Sequence, residues 1–266
     1  MRLTAYLLSL SLIFQACSQQ EQNPKTAPIA KELPTIYTLI FFDKTVSVSP
    51  KDTFTRNTYE AALATITQEN IRQKGDKIEV YFIHENTSQA RVFSQQCKAT
   101  LKDTLNLSPT DVRAIKNNYQ ITLKKERKKI FTRCQEAFLD ENPSDTKKYT
   151  DIWGALEVID KKNAKKKEGT LLKVYFFSDM VESMPGADRR DFHKRPPFSN
   201  QEAQEWAKSD AKSFQDMDLE GVELFYLLPF SPLSNTNENN PKVLLYWNSL
   251  LGKLGVEELK EFGSDE

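Results

Sequence analysis

Four apolar, β-branched runs limit what this chain can fold into. They are Thr35–Phe42 (TIYTLIFF), Lys77–His84 (KIEVYFIH), Thr170–Ser178 (TLLKVYFFS) and Gly221–Leu228 (GVELFYLL). Runs with so little polar alternation are strands covered on both faces. Between and after them lie stretches with helical character. Thr55–Gln73 places Tyr59, Ala62, Leu63 and Ile66 on one stripe. Pro109–Asp140 is long and strongly charged, and Ser108 before Pro109 is a helix-start signal. Thr150–Lys162, Asn200–Asp216 and Pro241–Phe262 complete the helical set, while Gln89–Ser94 alternates as the return arm of a hairpin. Buried strands alternating with helices predict an α/β domain of three layers. The expected sheet is Rossmann-like and mostly parallel, with helices on both faces and one hairpin edge strand.

Charge excludes one class of partner. The 266 residues hold 37 Lys+Arg against 37 Asp+Glu. A net charge of zero gives no global drive toward nucleic acid. The basic runs Lys124–Lys129 and Lys161–Lys167 read as solvated helix faces or ends. Trp153, Trp206 and Trp247 read as packing residues.

The N-terminus reads as a targeting segment. Arg2 precedes an apolar run from Ala5 to Phe14, broken only by Ser9 and Ser11, and Ala16 stands directly before Cys17. The run is too short to span a bilayer. Phe14-Gln15-Ala16-Cys17 resembles a bacterial lipoprotein signal. That resemblance implies a signal peptide over 1–16 and an acyl anchor, palmitate among its chains, on Cys17. Ser18, which is not aspartate, then implies the outer membrane, facing the periplasm or the cell surface. The polar segment 17–34, with three prolines, reads as a tether. The folded domain is expected over 35–266, with a helical insertion near 97–148. Cys97 and Cys134 would sit in an oxidising compartment, as a disulfide or as two buried thiols.

Three loops carry the chemistry. Ligands bind at the carboxyl edge of a parallel sheet, and the loops after the first and third buried strands open there. In Asp43-Lys44-Thr45-Val46-Ser47, the acid and two hydroxyls are spaced by two, which turns them to one side of an extended segment. These are hard oxygen ligands suited to Mg²⁺ or a similar cation. Thr150-Asp151 precedes a helix, with Thr150 placed as the capping hydroxyl and Asp151 in the first turn. Asp179 leaves a buried strand directly and must face water, a cation or a partner.

Taken in order, these elements resemble the von Willebrand factor A-type domain with its metal-ion-dependent adhesion site. Asp43, Thr45 and Ser47 match its Asp-x-Ser-x-Ser element, Thr150 matches the threonine before a central helix, and Asp179 matches the aspartate after the next buried strand. The resemblance spans about 33–262. Thr45 replaces the usual serine, and Val46 and Met180 stand where glycines are frequent. The resemblance implies Mg²⁺ (or Mn²⁺ or Ca²⁺) held by Asp43, Thr45, Ser47, Thr150 and Asp179, with an open position for an acidic side chain of a protein partner. It implies binding and not catalysis, and His84 and His193 lie on separate segments. The basic loop Glu182–Asn200, with Arg189, Arg190, His193 and Arg195, is expected to touch that partner. Two alternatives are an envelope scaffold with a degenerate metal site and a phosphohydrolase. The latter rests on Asp43-Lys44-Thr45, which resembles the start of the haloacid-dehalogenase motif.

Overall fold

The structure is a computed structural model that describes residues 33–144, 146–231 and 239–263. The signal peptide, Cys17 and most of the tether lie outside the described residues. In chain order the elements are β1 (Thr35–Asp43), α1 (Thr53–Asn70), β2 (Lys77–Ile83), β3 (Arg91–Gln96), α2 (Pro109–Leu139), α3 (Ile152–Asn163), β4 (Thr170–Phe177), α4 (Asn200–Asp210), β5 (Val222–Leu227), α5 (Pro241–Lys253) and β6 (Leu259–Glu261). The sheet order is β3-β2-β1-β4-β5-β6. Every pairing is parallel except β2 with β3, the expected hairpin arm.

Alternation along the strands builds two cores. Leu39, Phe41, Val174 and Phe176 face one side, where they meet residues of α3, α4 and α5. Ile40, Phe42, Tyr175 and Phe177 face the other, against α1 and α2. Both faces are therefore covered, which explains why the strand sequences lack a polar face. On the α1–α2 side, Tyr59 meets the ring of Phe177 edge-on at 4.8 Å and that of Phe138 at 5.4 Å, and Phe42 also contacts Phe177.

The C-terminal segment differs from expectation. The helix predicted over Pro241–Phe262 ends at Lys253, and Leu259–Glu261 pairs with β5 as a sixth strand. Gly255 makes the break. Its φ of +94° is left-handed, and a Cβ there would meet the Glu220 backbone nitrogen at 3.0 Å. Likewise, the helix predicted to reach Asp216 stops at Asp210 and tightens into a 3₁₀ turn, Ala211–Phe214.

Cys97 and Cys134 are free and buried, two thiols and not a disulfide. Cys97 feels Glu126 and Arg127 of α2, which lie two turns before Cys134. That offset is about 11 Å along the helix axis, whereas a disulfide joins Cα atoms about 4.4–6.8 Å apart. Burial pushes the Cys134 thiol up to about 12.

Candidate functional site

The site forms where the strand order changes direction. β1 and β4 are neighbours, but the chain leaves β1 toward β2 and returns past β1 to reach β4. The loops after these two strands therefore open a crevice at the carboxyl edge. Asp43 ends β1, and Ser178-Asp179 follow β4.

Four of the five predicted ligands fall into one hydrogen-bonded group. Asp43 Oδ1 accepts from the Thr45 hydroxyl at 2.6 Å and from the Thr45 backbone N–H at 2.9 Å. The Thr45 and Ser47 hydroxyls lie 3.2 Å apart. The Thr150 hydroxyl donates to that of Thr45 at 3.4 Å. Asp179 Oδ1 accepts from the Val181 N–H at 3.0 Å, which fixes its loop. The Tyr59 hydroxyl donates to the Leu227 carbonyl at 3.1 Å and feels the charge of both Asp43 and Asp179. All are buried except Ser47, which is half-buried.

Thr150 and Asp151 exchange their expected duties. Asp151, not Thr150, caps α3, accepting from the Gly154 N–H at 2.9 Å. This frees the Thr150 hydroxyl to turn toward Thr45. A Cβ at position 154 would overlap the Asp151 carboxylate, so the cap needs glycine there.

The donor set fits a hard cation. One carboxylate and three hydroxyls meet in the Asp43–Thr45–Ser47–Thr150 group, and Asp179 follows the neighbouring strand, so every candidate ligand atom is oxygen. Among the described residues no group of three or more His, Cys, Asp or Glu side chains is placed to hold a metal ion, so a cation here would depend on the hydroxyls. Burial pushes the Asp43 carboxyl up from its ordinary value. Hydrogen bonds from Thr45 and Ser178, and the proximity of His193, pull it back only in part. A buried carboxylate with this balance is stabilised by an added positive charge. An open cleft of about 550 Å³ adjoins Thr45 and Val46, between the β1–α1 loop and the end of α2.

Met180 carries backbone strain. Its φ of +62° is left-handed, a conformation that favours glycine. A methionine there costs about 1 kcal/mol or more. Its N–H donates to Ser178 Oγ at 3.0 Å and its carbonyl accepts from Trp247 Nε1 at 2.7 Å, which hold the turn.

Three residues outside the predicted set shape the site. Ser178 donates to Asp43 Oδ2 at 2.7 Å, bridging β4 to β1. A hydroxyl directly before Asp179 was the sequence signal for it. Lys44 is buried, and its ammonium donates to the carbonyls of Ala137, Phe138 and Asp140 at 2.7, 2.7 and 2.8 Å. The residue between two predicted ligands is thus the cation at the C-terminus of α2. Its own carbonyl accepts from Asn142 Nδ2 at 2.8 Å. Glu182 accepts from the Ile152 N–H at 2.7 Å and the Trp153 N–H at 3.3 Å. Burial pushes its carboxyl up to about 8, while Arg189 pulls it down.

The basic loop folds inward. Arg189 pairs with Asp151 at 2.5 Å and with Glu182. Arg190 forms a two-pronged bond to Asp210, 2.7 Å on each prong, and stacks on Trp206. Arg195 pairs with Glu202 at 2.8 Å. These three arginines hold the loop to the domain, while His193 is exposed. Ser183 clasps the segment before α3: its hydroxyl accepts from the Thr150 N–H at 2.9 Å, and its N–H donates to the Thr150 carbonyl at 3.0 Å.

No protein-family model and no curated protein matches the chain. Solved structures are similar in broad outline. Proximal thread matrix protein 1 from the mussel byssus shares 10% identity at a TM-score of 0.36, over 82% of this chain and 48% of that one. Manganese-loaded TRAP protein of Plasmodium vivax shares 13% at 0.33, over 79% and 62%. The human COPII-coat protein Sec24c shares 12% at 0.35, over 86% and 29%. This chain spans less than two thirds of the length of each, and all three scores are low.

Proposed function

We propose that this is a binding module whose divalent-cation site at the carboxyl edge captures an acidic side chain of a protein partner. The observation that carries the reading is the hydrogen-bonded group of Asp43, Thr45, Ser47 and Thr150, with Asp179 following the strand next to β1 and a buried Asp43 whose carboxyl burial pushes upward. Asp43 and Asp179 would supply the negative charge, and Thr45, Ser47 and Thr150 neutral oxygens. A bound Mg²⁺ or Mn²⁺ would supply an electrophilic position for a partner's carboxylate. The protein's own contribution is to preorganise the hydroxyls: Ser178 fixes Asp43, Ser183 fixes Thr150, and Lys44 fixes the loop between the ligands.

The order of these elements supports the von Willebrand factor A-type resemblance, and with it a role in protein interaction. Cys17 would anchor the module in a bacterial envelope, outer-membrane side, through its acyl chains. Two chains suffice where one does not, at about 0.8 kcal/mol per buried methylene. The role is binding and not catalysis.

Calorimetric titration with Mg²⁺ and with Mn²⁺ tests the site. Wild type should bind with one-to-one stoichiometry, and Asp43→Ala should bind at least tenfold more weakly. A wild type that takes up neither ion would overturn the reading in favour of a scaffold.

A further inference from the structure

The charged helix α2 places its cations beside an apolar patch. Lys124, Lys125, Lys128 and Lys129 are exposed. They are i, i+4 neighbours in two pairs, on the side of α2 away from the buried Leu123, Ile130 and Cys134. Like charges at that spacing oppose helix formation. None of the four forms an ion pair among the described residues. Over Pro109–Leu139 there are eight Lys and Arg against three Asp and Glu, in a chain that is neutral as a whole.

Apolar side chains are exposed on α2 and on the segment that leads into it. Leu101, Leu105 and Leu107 are 48%, 76% and 42% exposed, and Ile121 of α2 is 55% exposed. The segment that carries the leucines runs along the first half of α2, since Thr100 and Lys102 line one groove with Ala114, Asn118 and Thr122. Lysines beside the exposed Ile121, with exposed leucines on the segment along the first half of α2, match a lipid surface better than an acidic protein. The ammonium groups stay among headgroups while the leucines enter the acyl boundary. Among the described residues no helix is long and apolar enough to cross a membrane, so the contact would be one of surface association.

The chain enters the fold on this same side. The Pro34 carbonyl accepts from Arg72 Nη2 at 2.6 Å, and the Arg72 carbonyl accepts from the Tyr119 hydroxyl of α2 at 2.9 Å. Arg127 Nε of α2 donates to the Ile71 carbonyl at 2.7 Å. Residues 18–33 join Cys17 to that point.

We infer that the lysine face of α2, with the leucines of the 100–107 segment, is a docking surface for anionic lipid headgroups. The choice of membrane rests on the Cys17 anchor reading, but the affinity for headgroups does not. The chain from Ser18 to Glu266, which lacks the acyl site, is sedimented with vesicles of 30% phosphatidylglycerol in phosphatidylethanolamine, or with pure phosphatidylcholine. Wild type should bind the anionic vesicles and not the neutral ones, and binding should fall steeply from 50 to 300 mM salt. Changing the four lysines together to glutamine, which retains helix propensity, should weaken binding at least tenfold. Leu105→Ser should weaken it by a smaller factor that salt does not erase. The same change at Lys161, Lys165, Lys166 and Lys167 should leave binding intact. Equal binding to both vesicle types, or a quadruple α2 variant that binds like wild type, would overturn the inference. So would a wild type that ignores both vesicles and binds polyglutamate. Mass spectrometry of the cell-derived chain tests acylation of Cys17 separately, and its failure would leave the vesicle result standing.

Discussion

Replacing Lys44 by methionine removes the ammonium and keeps an unbranched stem of nearly the same length. The loss concentrates on one joint, the carbonyls of Ala137, Phe138 and Asp140 at the end of a 31-residue helix. Each hydrogen bond to a charged group contributes about 1.5–3 kcal/mol, so three sum to about 4.5–9 kcal/mol before offsets. The main offset is the cost of burying the ammonium. Burial lowers the Lys44 pKa from 10.5 to about 8, against the pull of Asp140 and Asp43, and that drop is equivalent to about 3 kcal/mol. Asp140 is exposed, so one carbonyl recovers a water. The cation–π contact with Phe82, at 4.6 Å, is lost as well. The expected net destabilisation is about 3 kcal/mol, read as a lowered urea midpoint at pH 7 with unchanged slope. Hydrogen exchange should quicken most at residues 135–139. A change below about 1 kcal/mol would refute the reasoning, since it would mean that solvent caps α2 and that the Lys44 bonds add nothing.

Two further predictions follow from buried charge. Arg189→Met strips both Glu182 and Asp151 of their cation and should cost about 3–5 kcal/mol. Thermal unfolding would check it, with Arg195→Met, whose 72%-exposed side chain makes a screened ion pair, changing little. Glu79 carries the acid sensitivity. Burial raises its carboxyl, but bonds from Lys162, Lys77 and Tyr81 outweigh this and bring it to about 2, below the ordinary 4.5. Its stabilisation is complete above about pH 4.5 and is lost as pH falls toward 2, about 2–3 kcal/mol in all. Glu79→Gln should flatten urea stability across that window, and an unchanged slope would count against the assignment.

The α/β layering was legible because the information is periodic. TIYTLIFF and TLLKVYFFS cannot be amphipathic, so both faces had to be covered, and the candidate residues Asp43 and Asp179 stand at or just past their ends. What escaped was decided by single contacts at a distance. The short strand Leu259–Glu261 sits behind a glycine turn shaped by the Glu220 backbone, which no local pattern announces. The partners of the basic loop's arginines have no local signature, because Asp210 and Glu202 lie on α4, Asp151 caps α3, and Glu182 stands seven residues before Arg189. Thr150 and Asp151 are both capping types, and only Gly154 and Thr45 in space settle which one caps. Lys44 was read through its neighbours, since nothing nearby in sequence hints at carbonyls of α2 more than ninety positions on.

The strand order also governs how this chain can be made. β1 emerges first and ends at the centre, with Tyr37 beside Lys77 but Thr35 beside Thr170. The β1–α1–β2 unit can close early over a short loop, whereas the other flank of β1 must wait until α2 and α3 have been synthesised. Loop closure over such a separation raises the entropic barrier and slows folding. Until β4 arrives, one edge of the most apolar strand has no neighbour, a state prone to wrong pairing. The long polar helix between them is the segment that spends this waiting time in water, and its charge suits it to do so.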